Sequence, residues 1–286
     1  MTINKTTKVN NTLTHQTMAI IKGAIQMTGS IKGVSFYTVR GSDKVIMRTK
    51  GGASKNKIAT APQFEGLRKQ QKEWSGCTKF GSLTRYAFGG LHRLADYNLT
   101  PVLNGIGKNI MKLDTTSETG KRSLKLTSYK QALEGFNFNR NYPLNTVLRV
   151  SPRWEINREK LEVSVLIPRI NTAIDLLNIQ KLPFFRLIVA IGTVSDMVYN
   201  AEINDYQPLV FNLHGTSETL IGDWNTTQTI LEEHYMTVAM NESQIADLTD
   251  DITLLVSMAV EFGNVGFTGT PVEVKYAGCG KVIACV

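Results

Sequence analysis

The residues of this chain best suited to chemistry are four histidines, three cysteines and a few close acidic groups. Their spacing argues against catalysis. His15, His92, His214 and His234 stand far apart, none within four residues of another. A zinc motif places at least two ligands a few residues apart on one element, so no metal site is expected. Cys77, Cys279 and Cys285 contain no C-x-x-C pair, and an odd, sparse set builds no disulfide framework. Cys279 and Cys285 flank Gly280-Lys281, where a hairpin could bring them together, but single buried thiols are the favoured reading. The triplets Gly105-Ile106-Gly107 and Gly278-Cys279-Gly280 extend to no dinucleotide fingerprint, and Gly120-Lys121-Arg122-Ser123 lacks the first glycine of a phosphate loop. No G-x-S-x-G elbow occurs. Asp250-Asp251 reads as a turn or cap, and Glu155, Glu159 and Glu162 alternate with Arg153, Arg158 and Lys160 as on a solvated hairpin tip. The chain therefore reads as non-enzymatic, with no cofactor.

Charge is the stronger signal. The net charge is +8 over 286 residues. Residues 1–125 hold 21 Lys and Arg against 6 Asp and Glu, a net of +15; residues 126–286 hold 11 against 18, a net of −7. Such a split suits a polyanionic partner, or a basic part of one copy meeting an acidic part of the next. Two solvated faces of opposite sign are the plainest alternative. The basic residues concentrate at Lys44, Arg48, Lys50, Lys55, Lys57, Arg68, Lys69 and Lys72, with Phe36, Tyr37, Phe64 and Trp74 close in sequence. Bases mixed with aromatics can hold single-stranded nucleic acid by phosphate contact and stacking. No RNP, KH or helix-turn-helix signature accompanies them.

These residues need elements to position them. Residues 1–17 are polar and read as a flexible tail; they lack the apolar stretch of a Sec signal, and Met18 offers a second start. No run of about 18 apolar residues predicts a membrane span. Between residues 18 and 60 lies a glycine-rich basic arm. GVSFYTV alternates in polarity, Arg40–Asp43 is a turn, and DKVIMRT returns as a second strand. KGGASKNKIAT follows as a basic linker, with Thr60 a candidate cap and Pro62 a first-turn residue for the next helix. Residues 61–140 show helical spacing, and Gly76, Gly81, Gly89 and Gly90 are expected to divide it into two or three helices. From residue 141 to 286 the runs TVLRV, KLEVSVLI, FFRLIVAIGTV, ILEEHYMTVAM, ITLLVSMAVEFG, VEVKYAG and KVIACV read as about seven strands. ESQIADLTDD reads as a short helix between two of them.

The segment from Gly29 to Trp74 resembles a pattern in uncharacterised proteins of Bacteroidota and their phages. The matching positions are Gly29, Gly33, Gly41, Val45, Arg48, Lys50, Thr60, Gln63 and Arg68. Where that pattern carries a proline after the basic run, this chain has Gly51-Gly52. The resemblance implies a glycine-rich basic hairpin, a Thr/Pro-Gln helix, a β-rich C-terminal half and a structural role. It brings no catalytic residues.

The expected fold is α+β: an N-terminal β-hairpin arm and a helical segment, then a C-terminal antiparallel β-sandwich. A two-stranded hairpin is marginal alone. The apolar arm residues Ile20, Ile21, Ile25, Val34, Phe36, Val45 and Ile46 therefore suit strand addition to a neighbouring copy. The expected function is a self-assembling structural protein, a homo-oligomer or filament of the virion or surface-fibre type. It would be made in the cytoplasm and end in a fibre or virion. The alternative is a nucleic-acid-binding protein using the bases of residues 32–93. A glycan-stacking platform at Trp154, Trp224 and Tyr235 is weaker, because large aromatics in strands usually fill cores.

Overall fold

The computed structural model describes residues 18–21, 28–38, 44–49 and 51–286. The tail, Ile25, the Arg40–Asp43 turn and Lys50 lie outside them. The chain forms two compact units, Met1–Phe64 and Glu65–Val286.

The first unit is a four-stranded antiparallel sheet. Strands β1 (Met18–Ile21), β2 (Gly29–Ile31), β3 (Val34–Thr38) and β4 (Val45–Thr49) lie in the order β1-β4-β3-β2. The expected hairpin is β3 and β4, paired from Val34↔Thr49 to Thr38↔Val45. A second, tighter turn precedes it. Lys32 and Gly33 both have positive φ, 43° and 86°, and Ile31↔Val34 closes the two-residue loop. Two left-handed residues match the twist that a short hairpin needs. The segment expected as a linker contains a helix, α1 (Lys55–Thr60), whose start is capped by the Ser54 hydroxyl accepting from Lys57 N at 3.3 Å. Thr60 caps no following helix; its hydroxyl donates to the Asn56 carbonyl within α1. Pro62–Phe64 is a single 3-10 turn.

In the second unit α2 (Glu65–Tyr86) and α3 (Leu99–Lys112) come first, followed by the short α4 (Leu144–Val147). Strands β5 (Arg153–Asn157), β6 (Glu162–Ile167) and β7 (Ile170–Asn171), helix α5 (Thr172–Asp175), and strands β8 (Phe184–Ser195), β9 (Met197–Asn200) and β10 (Asp205–Pro208) follow. The chain then forms β11 (Ser217–Ile221), β12 (Asn225–Thr226), β13 (Ile230–Leu231), β14 (His234–Ala239), α6 (Glu242–Ile245), β15 (Ile252–Val265) and β16 (Pro271–Cys285). A central sheet has the order β11-β8-β15-β16, with β12 also on β8; a three-stranded sheet has the order β14-β6-β5. Every strand pairing among the described residues is antiparallel.

The central strands are apolar on both parities because both their faces are covered. Leu187, Val189 and Ile191 of β8, with Leu254, Val256, Met258 and Val260 of β15, pack with Val163, Val165 and Ile167 of β6 and Met236 and Val238 of β14. Ile188, Ala190 and Val194, with Leu255 and Ala259, face the other way into a core with Phe80, Phe88, Leu103, Ile110 and Met111. The helical region read from residues 61–140 and the β-rich region read from 141–286 thus lie, from Glu65 onward, in one compact unit.

The glycines of α2 do not break it. The helix runs unbroken for 22 residues. A Cβ on Gly81 would lie 2.1 Å from Asn104 Oδ1 of α3, and one on Gly76 would lie 2.6 Å from the Tyr206 ring. These glycines permit close packing; the break comes at Gly89 and Gly90, with φ of 62° and 78°. TVLRV is not a strand: Leu144–Val147 is helical, and only Leu148 makes an isolated bridge, to Leu176. VEVKYAG and KVIACV are one strand, β16, so no hairpin stands at Gly280-Lys281. All three cysteines are free. Burial pushes the Cys279 and Cys285 thiols up to about 12, and Cys77 to about 11.

Candidate functional site

The structure pairs most of the expected arm residues. β1 carries Ile20 and Ile21 and pairs with β4, placing Ile20 opposite Ile46 and Ile21 opposite Val45. Val34, Phe36 and Val45 share one face of the β3–β4 pair, while Ile46 lies on the other, opposite Tyr37. Val45 is buried, Val34, Phe36 and Ile46 are half-buried, and Tyr37 is exposed. Among the described residues β1 pairs only with β4, and β2 only with β3. Their outer edges therefore offer unused backbone donors and acceptors to another strand.

The expected basic patch divides between the two units. Lys44, Arg48, Lys55 and Lys57 are exposed on the first. Arg68, Lys69 and Lys72 belong to α2 of the second. Lys69 pairs one helical turn back with Glu65 at 2.8 Å. Hydrogen bonding and charge attraction lower the Glu65 pKa and raise that of Lys69. Lys72 Nζ donates to Asn204 Oδ1 at 2.6 Å and lies 4.9 Å from the Tyr199 ring centre. The last two bases thus already have acceptors in their own chain.

Three charged or polar clusters in the second unit were not expected. Glu73 is fully buried on α2. Its Oε1 accepts from Gly120 N at 2.8 Å and Arg122 Nε at 2.7 Å; its Oε2 accepts from Arg122 Nη2 at 2.7 Å and Lys108 Nζ at 2.5 Å. Burial would raise its pKa, but these donors outweigh it and hold the carboxyl at about 2. One carboxylate so ties α2, α3 and the loop after α3 together.

Glu261 is buried in β15, directly opposite Arg186 of β8. Arg93 lies 2.6 Å from its Oε1, and Arg186 Nε donates to its Oε2 at 2.7 Å. Glu273 lies 3.3 Å from Arg186, whose guanidinium also stacks 4.3 Å from the Trp224 ring centre. Both oxygens of Glu261 face guanidinium groups, so the cluster is a clamp and not a general base. A groove of about 920 Å³ opens beside it, lined by Arg93, Asp96, Tyr97, Glu273, Lys275 and Tyr276 among others.

Ser195, Asp196 and His214 bring hydrolase residue types together, but their bonds make no relay. His214 Nδ1 accepts the Ser195 backbone N–H at 2.9 Å, Ser195 Oγ donates to the Asp196 carbonyl, and Thr127 holds the Asp196 carboxylate. A working nucleophile would have its hydroxyl on the histidine. His214 Nε2 is buried without a partner, and burial drives the ring pKa down to about 4. His92 is half-buried beside the groove, and His234 Nδ1 lies 3.0 Å from the Glu232 carbonyl. Among the described residues no group of three or more His, Cys, Asp or Glu side chains could hold a metal ion. No described helix is long and apolar enough to cross a membrane.

A signal for one clamp stood in the sequence. Arg186 and Glu261 each interrupt a long apolar strand, and a lone base and a lone acid in two buried strands call for each other. Glu73 gave no such sign, since it sits among the polar residues of KQQKEW. No family model, no curated protein and no solved structure matches this chain.

Proposed function

We propose that this is a non-enzymatic structural protein that assembles with copies of itself through its N-terminal sheet. The observation that carries this reading is the pair of outer strands in a small, separate unit, each bonded on one side alone among the described residues. A sheet so exposed is completed by a strand from another copy, with backbone hydrogen bonds supplying affinity. The three-stranded and central sheets stack as an antiparallel sandwich backed by helices, a rigid body suited to a repeated subunit. A virion or surface-fibre component, akin to the Bacteroidota and phage proteins it resembles, fits this organisation. The test is negative-stain electron microscopy of the purified chain at low and moderate salt, with and without residues 1–50. Filaments, tubes or rings that need those residues are the expected result. Dispersed particles under every condition overturn the reading.

A second reading is favoured by the charge of the first unit. Residues 1–64 carry ten Lys and Arg against one acidic residue, a net of +9; residues 65–286 carry 22 against 23, a net of −1. The body so lacks the acid surplus that would steer head-to-tail contact, and a polyanion becomes a fitting partner for the sheet. Nucleic-acid affinity that falls steeply with salt, and that weakens when Lys44, Arg48, Lys55 and Lys57 are neutralised together, would support it. Salt-independent binding, or none, rejects it.

A further inference from the structure

The groove beside the Glu261 clamp owes its shape to an irregular strand. On β15, Glu261 pairs with Gly278 and Gly263 with Glu273. Phe262 alone therefore faces residues 274–277 of β16. This bulge lines the cleft of about 920 Å³, and bulges re-aim side chains beside binding sites. Within it Tyr276 has φ of 62°, in the left-handed region. Glycine adopts that conformation freely, whereas a tyrosine is strained in it. The Tyr276 side chain is also mostly exposed, so burial offsets little of that strain. Neither the backbone nor the core calls for a tyrosine here. A strained, exposed aromatic at the edge of a cleft points to use by a ligand.

A second cleft, of about 210 Å³, shares Asp96 and Tyr276 with the first and adds the exposed Tyr142 and Gln180. Tyr97, which lines the larger cleft, is fixed in place. Its hydroxyl donates to the Asn137 carbonyl at 3.0 Å, and the Arg140 guanidinium lies 4.0 Å from its ring centre. Three tyrosines thus border the two clefts. The charges that line them already have partners. Arg93 faces Glu261, and Glu273 lies by Arg186. The Asp96 carboxylate accepts from Arg140 N, Asn141 N and Asn141 Nδ2, and Lys275 Nζ lies 4.9 Å from the Tyr276 ring centre. An ionic ligand would meet no surplus of opposite charge. Aromatic faces beside amides, hydroxyls and balanced charges suit a neutral polyhydroxylated ligand. The C–H face of a sugar ring can lie on tyrosine while its hydroxyls take the hydrogen bonds.

The platform suggested by sequence, at Trp154, Trp224 and Tyr235, does not form. Trp154 stands opposite Val165 and Tyr235 opposite Leu166, so the two project from opposite faces of their sheet. Trp224 carries the Arg186 guanidinium on its ring and packs on Gly263.

We infer that the clefts meeting at Tyr276 bind a neutral oligosaccharide, with Tyr276 as the stacking residue. The inference needs no second copy and is independent of the assembly reading.

The test is titration calorimetry of the full chain with soluble glucan, mannan, xylan and N-acetylglucosamine oligomers, at low and moderate salt. At least one of these should bind with an affinity that salt leaves unchanged. Y276G should weaken it about tenfold or more. Its thermal transition should be kept, because relief of the left-handed strain offsets the added freedom of the unfolded chain. Y142S should weaken binding as well, and it keeps the test decisive if Y276G misfolds. Y235S, on the distant sheet face, should bind as the unaltered chain does. No binding of any of these sugars at millimolar concentration overturns the inference. So does binding that neither Y276G nor Y142S weakens. Binding of anionic glycans or single-stranded DNA alone, falling with salt, would also overturn it and assign the clefts to a polyanion.

Discussion

Residues 1–64 hold the charge surplus of this protein and residues 65–286 hold its core. Among the described residues of the first unit, Val45 is the one fully buried hydrophobic side chain, while dozens fill the second. The small sheet has strands of three to five residues, and among the described residues its outer strands β1 and β2 each pair on one side. Three strands of the central sheet, β8, β15 and β16, have 12 to 15 residues, with core on both sides of β8 and β15. Stability is thus concentrated where charge is balanced, and basic charge sits where the sheet is incomplete. A unit that gains little from its own burial has most to gain from a partner.

The contrast breaks first if the body tolerates crowding. Gly192→Val should abolish soluble folded protein or cost about 4 kcal/mol or more in denaturant unfolding, because even a Cβ would fall 1.9 Å from the Ala87 carbonyl oxygen. A smaller but still large effect is expected at Glu73. Glu73→Gln should cost about 3 kcal/mol, since Arg122 and Lys108 lose their counter-charge. The native Glu73 pKa lies below its ordinary value, so this stabilisation is complete above about pH 4.5 and fades as pH falls toward 2. A denaturant series in acid should show that loss in the unaltered chain and not in the variant.

His214 gives the next effect. Its native pKa of about 4 lies below the ordinary value near 6.5, so the unfolded chain takes the proton first. Stability is full above pH 6.5 and should fall by about 2 kcal/mol between pH 6.5 and 5. Replacing His214 by Gln should flatten that slope; an unchanged slope would place the titrating group elsewhere. The smallest effect sharpens the comparison from the other unit. K55E/K57E should move the main unfolding transition by less than about 0.5 kcal/mol, while changing the salt dependence of any polyanion binding. A large loss of stability there would show the two units to be energetically coupled.

Much of this division was legible in the sequence. Alternation in GVSFYTV and the return DKVIMRT gave the β3–β4 pair, and long, mostly apolar runs gave β8 and β15. The glycines of α2 were misread because a missing Cβ signals both a broken helix and a close neighbour. Only the partner, Asn104 or Tyr206, decides between them. VEVKYAG and KVIACV were divided at Cys279-Gly280, yet there Gly280 admits the Phe138 ring against a continuous strand. Tyr276 gave no signal, since VEVKYAG alternates as an ordinary strand does and nothing in it marks the bulge opposite Phe262.

The central pairing also governs how quickly the body can form. Phe184 lies opposite Gly263, 79 residues later, and Ser195 opposite Ile252, 57 residues later. The bridge Asn137↔Lys281 spans 144 residues. Few of these contacts can form until long stretches of chain have closed, so the search is dominated by loop entropy and should be slow. While it lasts, β8 and β15 are bare apolar ribbons open to neighbouring chains. Burial of β8 and β15 must therefore run ahead of encounters with other unfolded copies if aggregation is to be avoided.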